Sequence, residues 1–154
     1  NLVRDIPDTG GYGSSSYYLD ELSEDCLVEG NVSVGVARPA HNHLTKPNTI
    51  RNNVFLHDGD MRITNPRSQG LRFEKNVLVA KGKISIANPE AIAESSANVF
   101  WSGARVVEGA PPETLLADPR IEVQEGRYTF APGSAAARLG IAPVDVSAAG
   151  RRKR

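Results

Sequence analysis

The sequence predicts an all-β protein, a right-handed parallel β-helix in which each coil takes about 22 residues. Three observations predict this fold: an asparagine recurs at a nearly constant step, apolar residues recur at fixed offsets from it, and Gly and Pro punctuate the intervening segments. With 154 residues, the chain fits one domain with a real core. A 22-residue helical repeat fits badly, because the repeating segments are rich in Val and Asn.

The recurring asparagines are separated by 22, 23 and 22 residues, at Asn31, Asn53, Asn76 and Asn98. The pair Asn1-Leu2 is similar to an earlier copy, with a longer loop after it. Strands of successive coils stack about 4.8 Å apart, so aligned side-chain amides can bond to the coils above and below. We therefore predict a buried asparagine ladder along at least four coils.

Apolar residues form three predicted columns at fixed offsets from the ladder. The first contains Val32, Val54, Val77 and Val99, the second Val34, Leu56, Val79 and Trp101, and the third Val28, Ile50 and Phe73. Residues of alternating charge stand at matching outward positions, at Glu29, Arg51 and Glu74. Opposite charges at such positions pair across neighbouring strands.

We expect the coils to fill residues 1–109, as the C-terminal part of a longer solenoid, and residues 110–154 to form a capping segment with a basic tail. Pro111-Pro112 interrupts the repeat. Residues 121–123 and 127–130 flank a Gln-Glu-Gly turn, which predicts a hairpin. Ser134 is placed to cap a short helix that Gly140 ends. A solenoid needs such a cap over its last apolar coil.

Composition excludes some functional classes. The formal net charge is zero, and no apolar run approaches membrane-spanning length, so we expect neither nucleic acid nor membrane as a partner. The single Cys26 excludes an internal disulfide. We interpret residues 151–154 as a solvated basic tail. Because the chain begins with Asn, we expect upstream β-helix coils of the same protein and a signal segment before it, and a secreted or periplasmic location.

Two segments depart from the column rule and carry the candidate chemistry. The first is residues 17–21, with Tyr18, Asp20 and Glu21. The second runs from His41 to Asp60 and contains all three histidines (His41, His43 and His57), and Arg62 lies in the strand that follows it. Counting back 11 residues from the ladder puts Asp20 level with Asn42, on the coil next to the two histidines. Residues two apart on a strand share a face, so the two imidazoles should point together. We predict that aromatic, imidazole and carboxylate groups converge on one groove across three coils.

We predict no metal or other cofactor for this groove. His41 and His43 supply two ligands, whereas zinc takes three or four protein ligands, and Asp20 or Asp60 would have to complete the set. Calcium is compatible with the carboxylates of Asp58, Asp60, Asp20 and Glu21, but no known calcium-loop spacing is present.

The same stretches resemble consecutive motifs of glycoside hydrolase family 141 and related bacterial β-helix proteins. The likeness rests on residues 18–21 (Tyr-Leu-Asp-Glu), 41–43 (His-Asn-His), 50–55 and 60–63, and it extends to Asp118-Pro119 and residues 132–140. The resemblance implies α-L-fucosidase or xylanase activity and two catalytic aspartates, which fall on Asp20 and Asp60. The chain departs from the pattern at Leu22, where a Gly commonly stands, and at residues 38–40, which replace a Gly-rich lead.

Three functional hypotheses follow. The first is a glycoside hydrolase that acts on a plant or microbial polysaccharide, with Asp20 and Asp60 as acid and nucleophile or base. In it, Tyr18, Glu21, His41, His43 and Arg62 bind the substrate. The second is a polysaccharide lyase on the same fold, with Arg51 or Arg62 neutralising a uronate carboxylate. The third is a non-catalytic β-helix that serves in binding or structure.

Overall fold

The structure is a computed structural model that describes residues 1–10 and 14–150. The proposed tail at 151–154 and part of the loop after Gly10 lie outside these residues. The chain contains a 3-10 helix at Pro89–Ala91, a short helix α1 at Ala135–Arg138, and the following strands. In chain order they are β1 (Leu2–Arg4), β2 (Tyr17–Leu19), β3 (Leu27–Glu29), β4 (Val32–Val34), β5 (Ala40–Asn42), β6 (Thr49–Arg51), β7 (Val54–His57), β8 (Met61–Thr64), β9 (Leu71–Glu74), β10 (Val77–Ala80), β11 (Ile84–Ala87), β12 (Ile92–Ser96), β13 (Asn98–Ser102), β14 (Val107–Glu108), β15 (Thr114–Leu116), β16 (Ile121–Gln124), β17 (Arg127–Phe130) and β18 (Val144–Asp145).

From β4 to β14, each strand stacks on the strand three places earlier in the chain, and β15 stacks on β13. The coils therefore build three parallel sheets that form the walls of a solenoid. Wall A has the order β1-β4-β7-β10-β13-β15, wall B the order β14-β11-β8-β5-β2, and wall C the order β12-β9-β6-β3. All pairings within the three walls are parallel. The predicted parallel β-helix is therefore confirmed, with about four turns.

The asparagine ladder is confirmed, and it lies at the corner between walls C and A. Each side-chain amide donates to the side-chain oxygen of the asparagine on the next coil, at 2.9 Å from Asn1 to Asn31 and at 3.0 Å from Asn31 to Asn53. The series continues through Asn76 to Asn98 at 3.0 and 3.3 Å. A second ladder, which was not predicted from the sequence, joins Asn42 to Asn65 at 2.8 Å.

All three apolar columns are confirmed by the strand register, but they do not share one core. The third column faces the interior, where Ile50 and Phe73 pack with Phe55, Leu78 and Phe100. The column that begins at Val32 faces outward from wall A, and so does the one that begins at Val34. These outward columns are apolar because a further part of the chain covers much of them.

The covering part is the C-terminal segment, and its predicted place is wrong. Strands β16, β17 and β18 form an antiparallel sheet, and this sheet and α1 pack Tyr128, Ala136 and Val144 against the outward Val column of wall A. The segment therefore covers the side of the solenoid. The expected end of the coils near Gly109 is also too early, because β15 adds one more strand to wall A at residues 114–116.

Local predictions in this segment hold. A hairpin joins β16 to β17, and the Ser134 hydroxyl accepts a hydrogen bond from the Ala137 backbone N–H at the start of α1 (3.2 Å).

No helix within residues 1–10 and 14–150 is long and apolar enough to cross a membrane. On wall C, Arg51 pairs with Glu29 at 2.7 Å, as the alternating charges predicted.

Candidate functional site

The candidate site lies on the outer face of wall B, where alternate residues of short strands point away from the core. Tyr17 and Ala40 pack into the interior, so the residues that follow them, Tyr18 and His41, face outward and are neighbours in register. His41 is in turn level with Thr64 on the next coil. The predicted level of Asp20 is wrong by one residue: Leu19 is level with Asn42, and Asp20 comes opposite His43.

A chain of hydrogen bonds joins Asp20, His43 and Arg67 across three coils. His43 Nδ1 lies 2.9 Å from Asp20 Oδ1, and Arg67 Nη2 lies 2.9 Å from His43 Nε2. A guanidinium has only donors, so Nε2 must accept and Nδ1 must carry the proton that it donates to Asp20. The arrangement fixes one neutral tautomer of His43 and orients the Asp20 carboxylate, whose side chain is 60% exposed.

His41 is a buried imidazole beneath an exposed aromatic ring. Its ring centroid lies 4.8 Å from that of Tyr18, and its plane is within 7° of that of His43, so the two imidazoles point together as predicted. Nδ1 of His41 bonds to the Thr64 hydroxyl. Burial, and then the positive charge of Arg38, lower the pKa of His41, which favours the neutral ring at neutral pH. Tyr18 is 42% exposed and offers the face that a ligand can contact.

Asp20 is held as a carboxylate. The hydrogen bond from His43 is the largest cause that lowers the pKa of Asp20, followed by the backbone N–H of Glu21, with a smaller contribution from the Tyr18 hydroxyl. The side chain of Glu21 itself is exposed in the turn after β2. Asp20 can thus act as a nucleophile, as a base or as a hydrogen-bond acceptor, and it is poorly suited to donating a proton.

Asp60 does not share this site, so the predicted pairing of Asp20 and Asp60 is wrong. Asp60 precedes β8, four residues before the level of Tyr18, whereas Asp20 lies two residues beyond that level. At about 3.3 Å per residue, the two carboxylates are roughly 15–20 Å apart along the strands, and they also lie two coils apart. The carboxyl pair of a glycosidase spans about 5–9.5 Å. Asp60 Oδ1 instead accepts a hydrogen bond from the Lys83 backbone N–H, with an N–O distance of 2.9 Å.

Arg62 lies between these two places on the outer face of wall B. Its guanidinium donates to Asp8 at 2.9 Å, and its Nε is buried with no hydrogen-bond partner among the described residues. Arg38, which is buried, donates to the Ser15 hydroxyl at 3.0 Å and is close enough to His41 to affect its pKa. Arg51, the other arginine considered for a lyase, lies on wall C and pairs with Glu29, apart from the wall B groups.

Three contributors to the site were not predicted: Thr64, Arg38 and Arg67. The 23-residue step from His41 to Thr64 matches the step from Asn42 to Asn65 and would have identified the first. Arg67 has a positive φ of 56°, in a turn from which its long side chain reaches back one coil, and no periodicity in the sequence signals such a contact.

Among residues 1–10 and 14–150, no group of three or more His, Cys, Asp or Glu side chains is arranged to hold a metal ion.

The lowered pKa of Asp20 predicts a titration result. We expect the side-chain carboxyl resonance of Asp20 to titrate with a midpoint below the ordinary value of about 3.9, and His43→Ala to move that midpoint upward. A folded pKa below the unfolded one means that this interaction stabilises the protein above the unfolded pKa and is lost as the pH falls through the folded pKa. Lys46→Ala, which removes a cation bound to Glu24, should leave the midpoint unchanged. An equal midpoint with and without His43 would refute the assigned cause.

Comparison with known proteins adds no relative: no family model, no curated protein and no solved structure matches the chain. The resemblance to glycoside hydrolase family 141 stays a sequence-based prediction.

Proposed function

We propose that this protein is a carbohydrate-active enzyme, a glycoside hydrolase that binds a polysaccharide along the outer face of wall B. One observation supports this proposal above the others. The pKa of Asp20 is lowered, and its carboxylate lies beside the exposed ring of Tyr18. His43 orients this carboxylate by a hydrogen bond, and Arg67 in turn bonds to His43. Sugars are recognised by such combinations, because an aromatic face stacks on the apolar face of a pyranose while ionised and amphoteric groups bind its hydroxyls.

In this proposal Asp20 is the nucleophile or the general base. His43 holds the carboxylate in place, and Tyr18 positions the sugar ring. Hydrolysis also needs an acid that protonates the leaving oxygen, and distance excludes Asp60 from that part. Glu21, the exposed acid that follows Asp20, is the residue to test first. A polysaccharide substrate fits a secreted or periplasmic location.

A lyase is the second candidate, favoured by the arginines around the neutral His41. Arg38 lies near this imidazole, and Arg62 and Arg67 flank the same face of wall B. Guanidinium groups would neutralise a uronate carboxylate, and a neutral imidazole with a tyrosine beside it is suited to removing and returning protons.

The products distinguish the two reactions. We expect the full-length protein, incubated with fucosides, xylans and uronate polymers in ¹⁸O-labelled water, to release sugars that carry the label at the new reducing end. Elimination would instead give an unlabelled, unsaturated uronate that absorbs ultraviolet light, and this product would replace hydrolase with lyase. If no substrate is turned over, both proposals fail and a non-catalytic role is left.

A further inference from the structure

A second candidate site lies on the outer face of wall A, where the covering segment leaves part of this wall open. There the outward column continues to Trp101, which is the only tryptophan of the chain and is half-buried. A groove of about 410 Å³ runs beside Trp101, between Leu56 and Val79 on wall A and Val123 on β16. A second hollow of about 360 Å³ also borders Trp101, next to Leu116.

Apolar surface is left in water along this groove. Val123, which lines the groove, is 56% exposed, and Leu116, which lines the second hollow beside Trp101, is 61% exposed. Grouped apolar exposure around an aromatic ring is typical of a binding surface, whereas single exposed apolar residues are common everywhere. The groove volume falls within the range of pockets that hold small ligands.

The polar groups of the groove indicate the ligand class. Lys81 pairs with Asp58 at 3.0 Å, and Asp118 adds a second carboxylate to the lining of the groove. His57 also lines it, and its buried Nδ1 has no hydrogen-bond partner among the described residues. Donors and acceptors are therefore both present, and the one ammonium is already neutralised by a carboxylate. Such a set favours a neutral ligand rich in hydroxyl groups over an anion.

We propose that the groove at Trp101 binds a neutral oligosaccharide, with a pyranose ring stacked on the indole and hydroxyls bonded to Asp58, Lys81 and Asp118. The choice of a sugar rests on the proposed function, but the groove is a separate site on a separate wall. It would hold a distant part of the polysaccharide while wall B acts on another part of it, which raises the local concentration of substrate.

Because Trp101 is the only tryptophan, its fluorescence reports on this groove directly. We expect xylo-oligosaccharides, added to the intact protein, to give a saturable change in tryptophan emission. Val123→Asp, an exposed substitution that keeps the fluorophore, should abolish the change. Trp101→Ala should weaken binding measured by calorimetry by on the order of tenfold, and Trp101→Phe by less. The matched control, Leu27→Asp, alters an exposed apolar residue of wall C and should have no effect.

The two proposals fail separately. Asp20→Asn should leave the emission change intact, since Asp20 lies on wall B. A protein that shows no turnover on any substrate but still gives the emission change would lose the hydrolase proposal and keep the groove. No emission change with neutral oligosaccharides, or an equal change in Val123→Asp, would overturn the groove even if the protein hydrolyses its substrate.

Discussion

Replacing Asp20 by asparagine should lower the kcat of the full-length protein on its polysaccharide by on the order of 10²–10⁴-fold, the typical contribution of a positioned acid, base or nucleophile. The amide keeps the size of the side chain but removes the negative charge that His43 orients. Substrate affinity should change much less, because Tyr18 and the other groups of wall B remain. The measurement is steady-state kinetics with kcat and KM determined separately.

Asp60→Asn is the matched control, since it makes the same chemical change on the same wall. Asp60 accepts a hydrogen bond from the Lys83 backbone N–H, and it lies roughly 15–20 Å from Asp20 along the strands. The kcat of Asp60→Asn should therefore stay within about threefold of the parent value. Glu21→Gln tests the neighbouring acid in the same assay. A large loss in Asp60→Asn together with normal turnover in Asp20→Asn would make Asp60, and not Asp20, the catalytic carboxylate.

Asn53→Leu should lower the free energy of unfolding by about 3–5 kcal/mol, because several buried polar groups lose their partners at once. The Asn53 oxygen accepts from both the backbone N–H and the side-chain amide of Asn31, each at 3.0 Å. Its own amide donates to the Val28 carbonyl and to Asn76. Leucine has the same number of side-chain heavy atoms with the same branching, but it satisfies none of these groups. Denaturant-induced unfolding measures the loss.

Gln69→Leu provides the comparison, since it removes an exposed side-chain amide from the same solenoid. Its effect should be within about 0.5 kcal/mol, as for most surface substitutions. If Asn53→Leu cost no more than Gln69→Leu, the ladder would have no energetic role and its regular spacing would need another explanation.

The coil repeat was predictable because a ladder of asparagines must recur with every turn. The 22- and 23-residue steps report the length of a coil directly, and the strand register reproduces them from Val32 to Val99. The hairpin after β16 and the Ser134 cap were predictable for a local reason, since turn and cap residues act within a few positions.

The orientation of the columns was not predictable from their spacing. Val54 and Phe55 are both fully buried, the first on the outside of wall A and the second inside the solenoid. An apolar column looks the same in sequence whether it packs inward or under a distant segment. The side-on placement of Tyr128 and Val144 depends on that contact, and periodicity carries no information about it.

The site was predicted in part for a related reason. The two-residue spacing of His41 and His43 predicted that they share a face, and the coil length predicted that Tyr18 lies beside them. Counting coils gives the separation along the solenoid axis, but it does not give the position along a strand. Asp60 and Asp20 differ in their position along the strands, and only the register of β2, β5 and β8 gives that position.

The most direct test of the central claim is a crystal structure of the Asp20→Asn variant with an oligosaccharide of the proposed polysaccharide substrate. The variant should retain substrate without turning it over. We predict a sugar ring over Tyr18, with a hydroxyl or the glycosidic oxygen within hydrogen-bond distance of the side chain at position 20, and His43 still bonded to Arg67. Sugar bound elsewhere, with the outer face of wall B empty, would contradict the claim.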